Sequence, residues 1–64
     1  MLSYDRLWHV LIDKKMNKKT LCELTKISSS TMAKMGKNEI VSLEVLEKIC
    51  NVLECDLGDI ASFR

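Results

Sequence analysis

Residues 17–37, NKKTLCELTKISSSTMAKMGK, decide the fold because they have the pattern of two short helices separated by a turn. Asn17 and Ser28 both suit the start of a helix, since their side-chain oxygens can accept hydrogen bonds from the first free backbone N–H groups. Two helices of about two turns each, joined by about three residues, form a helix-turn-helix unit. We predict a first helix from Asn17 to about Thr25, a turn at Lys26 and Ile27, and a second helix from Ser28 to about Lys37.

A further amphipathic helix is predicted before this unit. Apolar residues recur there with the spacing that lines one face of a helix. Ser3 would cap this helix, which would end near Lys15, where cations suit the helix dipole. The apolar residues of the stripe are Tyr4, Leu7, Trp8, Leu11 and Ile12.

Two more helices are predicted after the unit. Gly36 and Asn38 can both adopt the left-handed backbone conformation that ends helices. Ser42 can then cap a fourth helix, and Asp56 can cap a last short one. No stretch alternates between apolar and polar residues for long enough to indicate a strand, so we predict one all-α domain of five helices, without strands, over residues 1–64. The predicted inward residues are Leu21, Leu24 and Cys22 in helix 2, Met32 and Met35 in helix 3, Leu43, Leu46, Ile49, Cys50 and Leu53 in helix 4, and Ile60 and Phe63 in the segment from Leu57 to about Phe63.

The composition is that of a small globular protein. A chain of 64 residues, 47% hydrophobic and 30% charged, has room for one domain with a core that is only just large enough. We find no membrane span and no apolar region of a signal peptide, so we expect a cytoplasmic protein. The three cysteines, Cys22, Cys50 and Cys55, lack C-x-x-C spacing and are expected to be reduced; a bridge between Cys50 and Cys55 would need their Cα atoms within about 7 Å.

Basic residues are concentrated in the middle of the chain. The stretch from Lys14 to Lys37 has seven lysines and a single acid, Glu23, and therefore a net charge of +6, although the whole chain carries only +1. The other 40 residues have three basic residues and eight acids, a net charge of −5. One positive face could approach phosphate groups. A lysine-rich face that is merely solvated is the alternative that charge alone leaves open.

The chain resembles a known family. Residues 16–60, MNKKTLCELTKISSSTMAKMGKNEIVSLEVLEKICNVLECDLGDI, are similar to the Cro and phage-repressor type of helix-turn-helix domain, also called the xenobiotic-response-element (XRE) family, and to its short single-domain bacterial members. Its most specific parts are ISSSTMAKMGKNE (residues 27–39) and SLEVLEKICNVLECDLGDI (residues 42–60). The resemblance implies a compact, lambda-repressor-like domain that binds double-stranded DNA and regulates transcription, as a repressor.

Two positions depart from the family pattern. The family usually has glycine in the turn, at a residue with positive φ, where this chain has Lys26. A lysine there would cost on the order of 1 kcal/mol of backbone strain, but it adds a positive charge beside the DNA-binding face. The family often has glutamine at the start of helix 2, where this chain has Lys18, which can still neutralise a phosphate.

The predicted DNA-binding residues form two groups. Unpaired N–H groups and the dipole at the start of helix 2 favour an anion, and the end of helix 3 matches the family's second phosphate-contacting position. The exposed face of helix 3 would contact the bases, where Lys34 can donate to guanine O6 or N7. A well-capped helix start with solvent-facing hydroxyls is the alternative explanation of the serine run. The phosphate contacts are Asn17, Lys18, Lys19, Lys37 and Asn38, and the base-contacting positions are Ser29, Ser30 and Lys34, with Ser28 and Thr31 nearby.

One recognition helix per chain favours a homodimer. A two-fold dimer would place two recognition helices about 34 Å apart on a palindromic operator. The candidate interface residues could each be buried in their own chain instead, which is the alternative in so small a protein. They are Val41, Val45, Val52, Leu57, Ile60 and Phe63.

Other functions have less support in the sequence. His9 is the only histidine and has no recognisable catalytic partners, so we expect no enzyme, and we expect no metal, cofactor, small-molecule ligand or membrane partner. The serious alternative is a protein-interaction module of the same fold, such as an antitoxin, antirepressor or adaptor. The lysines around helices 2 and 3 favour DNA, because a protein-only module has no need of them.

Overall fold

Four α-helices and a pair of very short strands form the chain in the computed structural model, which describes residues 1–64. The helices are 8 to 11 residues long, as expected for so small a domain. In chain order the elements are β1 (Leu2–Ser3), α1 (Asp5–Asp13), α2 (Lys18–Thr25), α3 (Ser29–Gly36), α4 (Leu43–Leu53), a single 3₁₀ turn (Leu57–Asp59) and β2 (Ser62–Phe63).

Three of the predicted helix caps are confirmed. The side chain of Asn17 accepts from the Thr20 N–H at 2.7 Å, and this fixes the start of α2. Ser28 and Ser42 cap α3 and α4 in the same way, with N–H to Oγ distances of 3.1 Å and 3.3 Å. The helix-turn-helix unit therefore lies where the sequence predicts it.

The prediction of five helices without strands is wrong at both ends of the chain. The fifth helix is only the 3₁₀ turn, and the residues that follow it pair with the N-terminus as an antiparallel strand, Leu2 opposite Phe63 and Ser3 opposite Ser62. The Arg64 N–H donates to the Met1 carbonyl at 2.7 Å, and the Met1 ammonium donates to the Arg64 carbonyl. This pairing joins residues that are 59 and 61 positions apart in the sequence, which no local pattern encodes.

The strand pairing also shortens the first helix. Ser3 lies in β1 and is not the N-cap; α1 begins at Asp5 after Tyr4 and ends at Asp13, two residues before the predicted end. Lys15 has a φ of 56°, a left-handed backbone conformation that cannot continue the right-handed helix. Gly36, expected to be able to adopt the left-handed conformation, stays in α3, and Asn38 adopts it, with a φ of 58°.

The core lies where the four helices and the 3₁₀ turn meet. It confirms the buried positions of Met32 and Met35, but four residues predicted on inward faces are exposed: Ile12 (70%), Leu24 (55%), Leu43 (69%) and Phe63 (84%). Each short helix contacts the core along a strip narrower than its apolar stripe, so Ile12, Leu24 and Leu43 stay in solvent at the edge of their stripes, whereas Phe63 lies in β2 and not in a helix. The nine buried apolar residues are Tyr4, Leu7, Leu11, Leu21, Met32, Met35, Ile49, Leu53 and Ile60.

The three cysteines are free thiols, each half-buried. Cys50 and Cys55 are neighbours at the end of α4, where the Cys55 N–H donates to the Cys50 carbonyl at 3.1 Å. Burial first, and then the neighbouring Cys55, raise the pKa of Cys50 to about 11, and burial also raises the pKa of Cys55. Both thiols are therefore protonated at neutral pH and poorly nucleophilic. None of the four helices is both long and apolar enough to cross a membrane.

Candidate nucleic-acid interface

The turn between α2 and α3 has the backbone geometry expected for this motif. Lys26 has φ 59° and ψ 28°, and its N–H donates to the Cys22 carbonyl at 2.8 Å. This is the position where the resemblance implies glycine, so the expected strain at Lys26 is present in the fold. Ile27 packs against the core from within the turn.

The outer face of α3 is open to solvent. Because Met32 and Met35 are buried, the opposite side of the helix exposes Ser29, Ser30 and Lys34, while Thr31 is half-buried. The part of α3 that is predicted to contact bases is thus accessible to solvent, on the side opposite the buried Met32 and Met35.

The hydroxyls of this helix divide into two kinds. The Ser28 Oγ accepts from the Thr31 N–H and lies 3.0 Å from the Ser30 Oγ and 2.9 Å from the Thr31 Oγ1. Three of the four hydroxyls are therefore engaged with one another at the start of the helix, as the capping alternative predicts. The Ser29 hydroxyl and the Lys34 ammonium have no partner in the protein, which leaves these two free to bind a ligand.

The lysines of the central stretch carry uncompensated charge. The ion pairs of the protein are Lys48 with Glu44 at 3.7 Å and Arg64 with Asp5 at 3.0 Å, so none of the seven lysines between Lys14 and Lys37 has an acidic partner. The acidic residues outside the stretch from Lys14 to Lys37 therefore do not neutralise its lysines by direct pairing.

Lys18, at the start of α2, lies near the end of α3. The Lys18 Nζ is 3.7 Å from the point that a Cβ on Gly36 would occupy, so the start of α2 lies beside the end of α3. Lys37 follows Gly36 directly and is exposed. Lys18 therefore lies beside the residue that precedes Lys37, although 19 positions of sequence separate the two lysines.

Asn38 has a structural contact that the sequence did not reveal. Its Oδ1 accepts from the Tyr4 N–H at 3.2 Å, and the Tyr4 hydroxyl donates to the Glu39 carbonyl at 2.9 Å. Burial raises the pKa of Tyr4, so its hydroxyl remains a donor at neutral pH. Asn38 holds the loop after α3 against the start of α1, and only its amide N–H groups are left for a phosphate.

Trp8 is a second residue whose surroundings the sequence did not reveal. The sequence places it in the apolar stripe of α1, and it does pack half-buried against the core. Its ring, however, also lies under the Lys18 ammonium, with Nζ 4.4 Å from the ring centroid. Trp8 and Lys18 lie on different helices, so no local spacing indicates this contact.

Known proteins are similar to this chain in sequence and in fold. Residues 6–64 match the family model of the Cro/C1-type HTH DNA-binding domain. The chain is 37% identical over 57 residues to the uncharacterised HTH-type transcriptional regulator YozG of Bacillus subtilis (strain 168), a match that covers 86% of this chain and 68% of that protein. The structure of this chain is similar to the crystal structure of the transcriptional regulator VanUg (Form II), with a TM-score of 0.93 and 54% sequence identity. The match covers 95% of this chain and 81% of the VanUg chain.

Proposed function

The chain belongs to the family of Cro/C1-type helix-turn-helix DNA-binding domains, and we propose that it is a sequence-specific repressor that contacts the major groove through α3 as a homodimer. Both relatives are named as transcriptional regulators, which supports a regulatory role. A regulator of this kind acts on DNA inside the cell, and so we place it in the cytoplasm of a bacterial cell.

One observation carries the proposal. The start of α2 and the end of α3 form one surface through the approach of Lys18 to Gly36, and the lysines of this surface have no acidic partners. Duplex DNA is a polyanion that attracts such charges, and the exposed edge of α3 belongs to the same helix as Gly36. Phosphate contacts of this kind hold the register, and Ser29 and Lys34 would then contact base edges.

The decisive experiment is a titration of the protein against a mixed-sequence duplex at several salt concentrations. DNA binding predicts that log K falls linearly with log salt, with a slope equivalent to several phosphates. Lys19→Met should lower affinity evenly across sequences and reduce the slope by about one, whereas Lys34→Met should change which sequences are preferred. Lys48→Met is the matched control, because Lys48 lies on α4 and pairs with Glu44. An affinity that does not respond to salt contradicts the proposal and favours the protein-interaction module.

The homodimer is the finer part of the proposal. Ile60 is fully buried in its own chain and is thereby removed from the predicted interface, while Val41, Val45 and Val52 are half-buried against the core. Leu57 (45% exposed) and Phe63 (84% exposed) remain available. They line an apolar groove of about 320 Å³ between α4 and the strand pair, together with Leu2, Leu46, Gly58, Ala61 and Ser62.

A further inference from the structure

The Lys18 ammonium lies between two elements other than its own helix. On one side is the ring of Trp8 on α1, with Nζ 4.4 Å from the ring centroid, and on another is Gly36 at the end of α3. A lysine ammonium within about 6 Å of an aromatic centroid is attracted by the negative face of the ring. The contact is therefore close enough to hold the Lys18 side chain near the face of the Trp8 ring.

The two partners differ in how firmly the fold holds them. Trp8 is half-buried and packs against the core, so the fold fixes the plane of its ring. Lys18 is exposed and lacks both an acidic partner and a hydrogen bond within the protein. The ring face carries no hydrogen-bond acceptor comparable to a carboxylate, so the N–H donors of Lys18 that point away from the ring stay available to a phosphate.

We propose that Trp8 is a positioning residue for DNA binding, which holds the Lys18 ammonium at the N-terminus of α2 where a backbone phosphate would bind. This inference rests on the proposed function. A free lysine side chain loses the freedom of four rotatable bonds when it binds, and this loss opposes association. Lys18 has already lost part of that freedom on the Trp8 ring, so less is lost when the phosphate arrives.

Four variants test this proposal. Trp8→Leu removes the ring and keeps an apolar side chain, Trp8→Phe keeps a ring, Lys18→Met removes the charge and keeps the length, and Trp8→Leu with Lys18→Met completes a double-mutant cycle. Lys19→Met is the matched control for the loss of one positive charge at the start of α2. Lys19 is the next residue, and its ammonium has no aromatic ring in contact with it. Affinity for a labelled mixed-sequence duplex is measured at two salt concentrations, and thermal unfolding shows whether each variant folds.

We expect Trp8→Leu to weaken binding about two- to fivefold, which corresponds to the usual strength of an exposed cation–π contact. The salt slope should stay unchanged, because Lys18 still reaches the phosphate. Trp8→Phe should recover part of the affinity. Lys18→Met should lower the slope by about one, and in its background Trp8→Leu should have no further effect. If the two losses simply add, or if Trp8→Leu strengthens binding, the proposal is overturned.

Fluorescence separates this inference from the proposed function. Trp8 is the single tryptophan, so the emission of the DNA-free protein reports on its surroundings. Lys18→Met should change the emission wavelength or intensity, whereas Lys19→Met should not; unchanged emission in Lys18→Met overturns the inference and leaves the proposed function standing. A wild-type protein that fails to bind duplex DNA overturns both. Trp8→Phe keeps the affinity test valid if Trp8→Leu does not fold.

Discussion

At Lys26 a lysine occupies a backbone conformation that suits glycine. A φ of 59° brings Cβ close to the backbone carbonyl, which costs about 1 kcal/mol in a residue other than glycine. The side chain is exposed and makes no hydrogen bond or ion pair, so nothing within the protein offsets this cost.

We therefore predict that Lys26→Gly raises the free energy of unfolding by about 1 kcal/mol, measured by urea titration. Lys37→Gly is the control, because Lys37 has a φ of −100° and gains nothing from glycine. A stability gain of the same size in both variants would show that backbone strain at Lys26 is not the cause. Lys26→Gly should also reduce DNA affinity slightly, as it removes one positive charge near the proposed phosphate contacts.

The difference between Lys26 and Trp8 shows what a sequence can reveal about single residues. The unusual φ of Lys26 follows from the resemblance, because a family that has glycine at one position reveals the backbone conformation there. The contact between Trp8 and Lys18 depends on the angle at which α1 and α2 cross, and that angle results from the packing of the whole core. The charge and exposure of the site residues were predictable, whereas the contacts that hold them were not.

At the scale of elements, the start of α3 combines a structural task with the proposed functional one. The Ser28 Oγ accepts from the Thr31 N–H at 3.1 Å and so satisfies one of the free donors of the first turn. The same hydroxyl contacts Ser30 and Thr31, which makes Ser28 the centre of the local network.

We predict that Ser28→Ala lowers the free energy of unfolding by about 1 kcal/mol, the usual loss when an N-cap side chain is removed. Ser28→Asn should keep most of the wild-type stability, because asparagine is also a good N-cap. Thermal unfolding measures the difference, which for a domain of this size is roughly 4–8 °C. Ser42→Ala, at the equivalent position of α4, should cost a similar amount and leave DNA affinity unchanged. If Ser28→Ala and Ser28→Asn proved equally stable, the Ser28 side chain would have no capping role.

The caps also explain which elements the sequence predicts well. Asn17, Ser28 and Ser42 each act on a backbone N–H three residues away, so a local pattern contains the whole signal. β1 and β2 consist of two residues each and lie at opposite ends of the chain, which gives no period-two pattern to detect. Ser3 had a suitable cap side chain, but pairing with Ser62 placed it in a strand.

At the scale of the whole molecule, the dimensions of one chain limit how it could bind an operator. The chain measures 27 × 23 × 17 Å, less than the distance of about 34 Å between successive turns of the major groove on one face of DNA. One copy can therefore present α3 to a single turn only. Contact with two half-sites requires two copies, and the apolar groove beside Phe63 is the surface that we propose joins them.

Phe63 tests this arrangement without disturbing the core. Its side chain is 84% exposed, and β2 pairs through backbone groups that a substitution leaves intact. Burial of a phenylalanine contributes about 2 kcal/mol, so Phe63→Gln should raise the dimer Kd at least about thirtyfold. Sedimentation equilibrium should show monomers where the wild type is dimeric, and binding to a palindromic operator should weaken while binding to one half-site does not.

Ile40→Gln is the matched control for this experiment. Ile40 is also 84% exposed, but it lies outside the groove, between α3 and α4. The same replacement there should leave the association state unchanged, because the loss of exposed apolar surface as such does not separate two chains. A Phe63→Gln protein that stays dimeric would place the interface elsewhere. If both variants weakened dimerisation equally, the cause would be a general loss of solubility or folding, because a specific contact at the groove depends on Phe63 and not on Ile40.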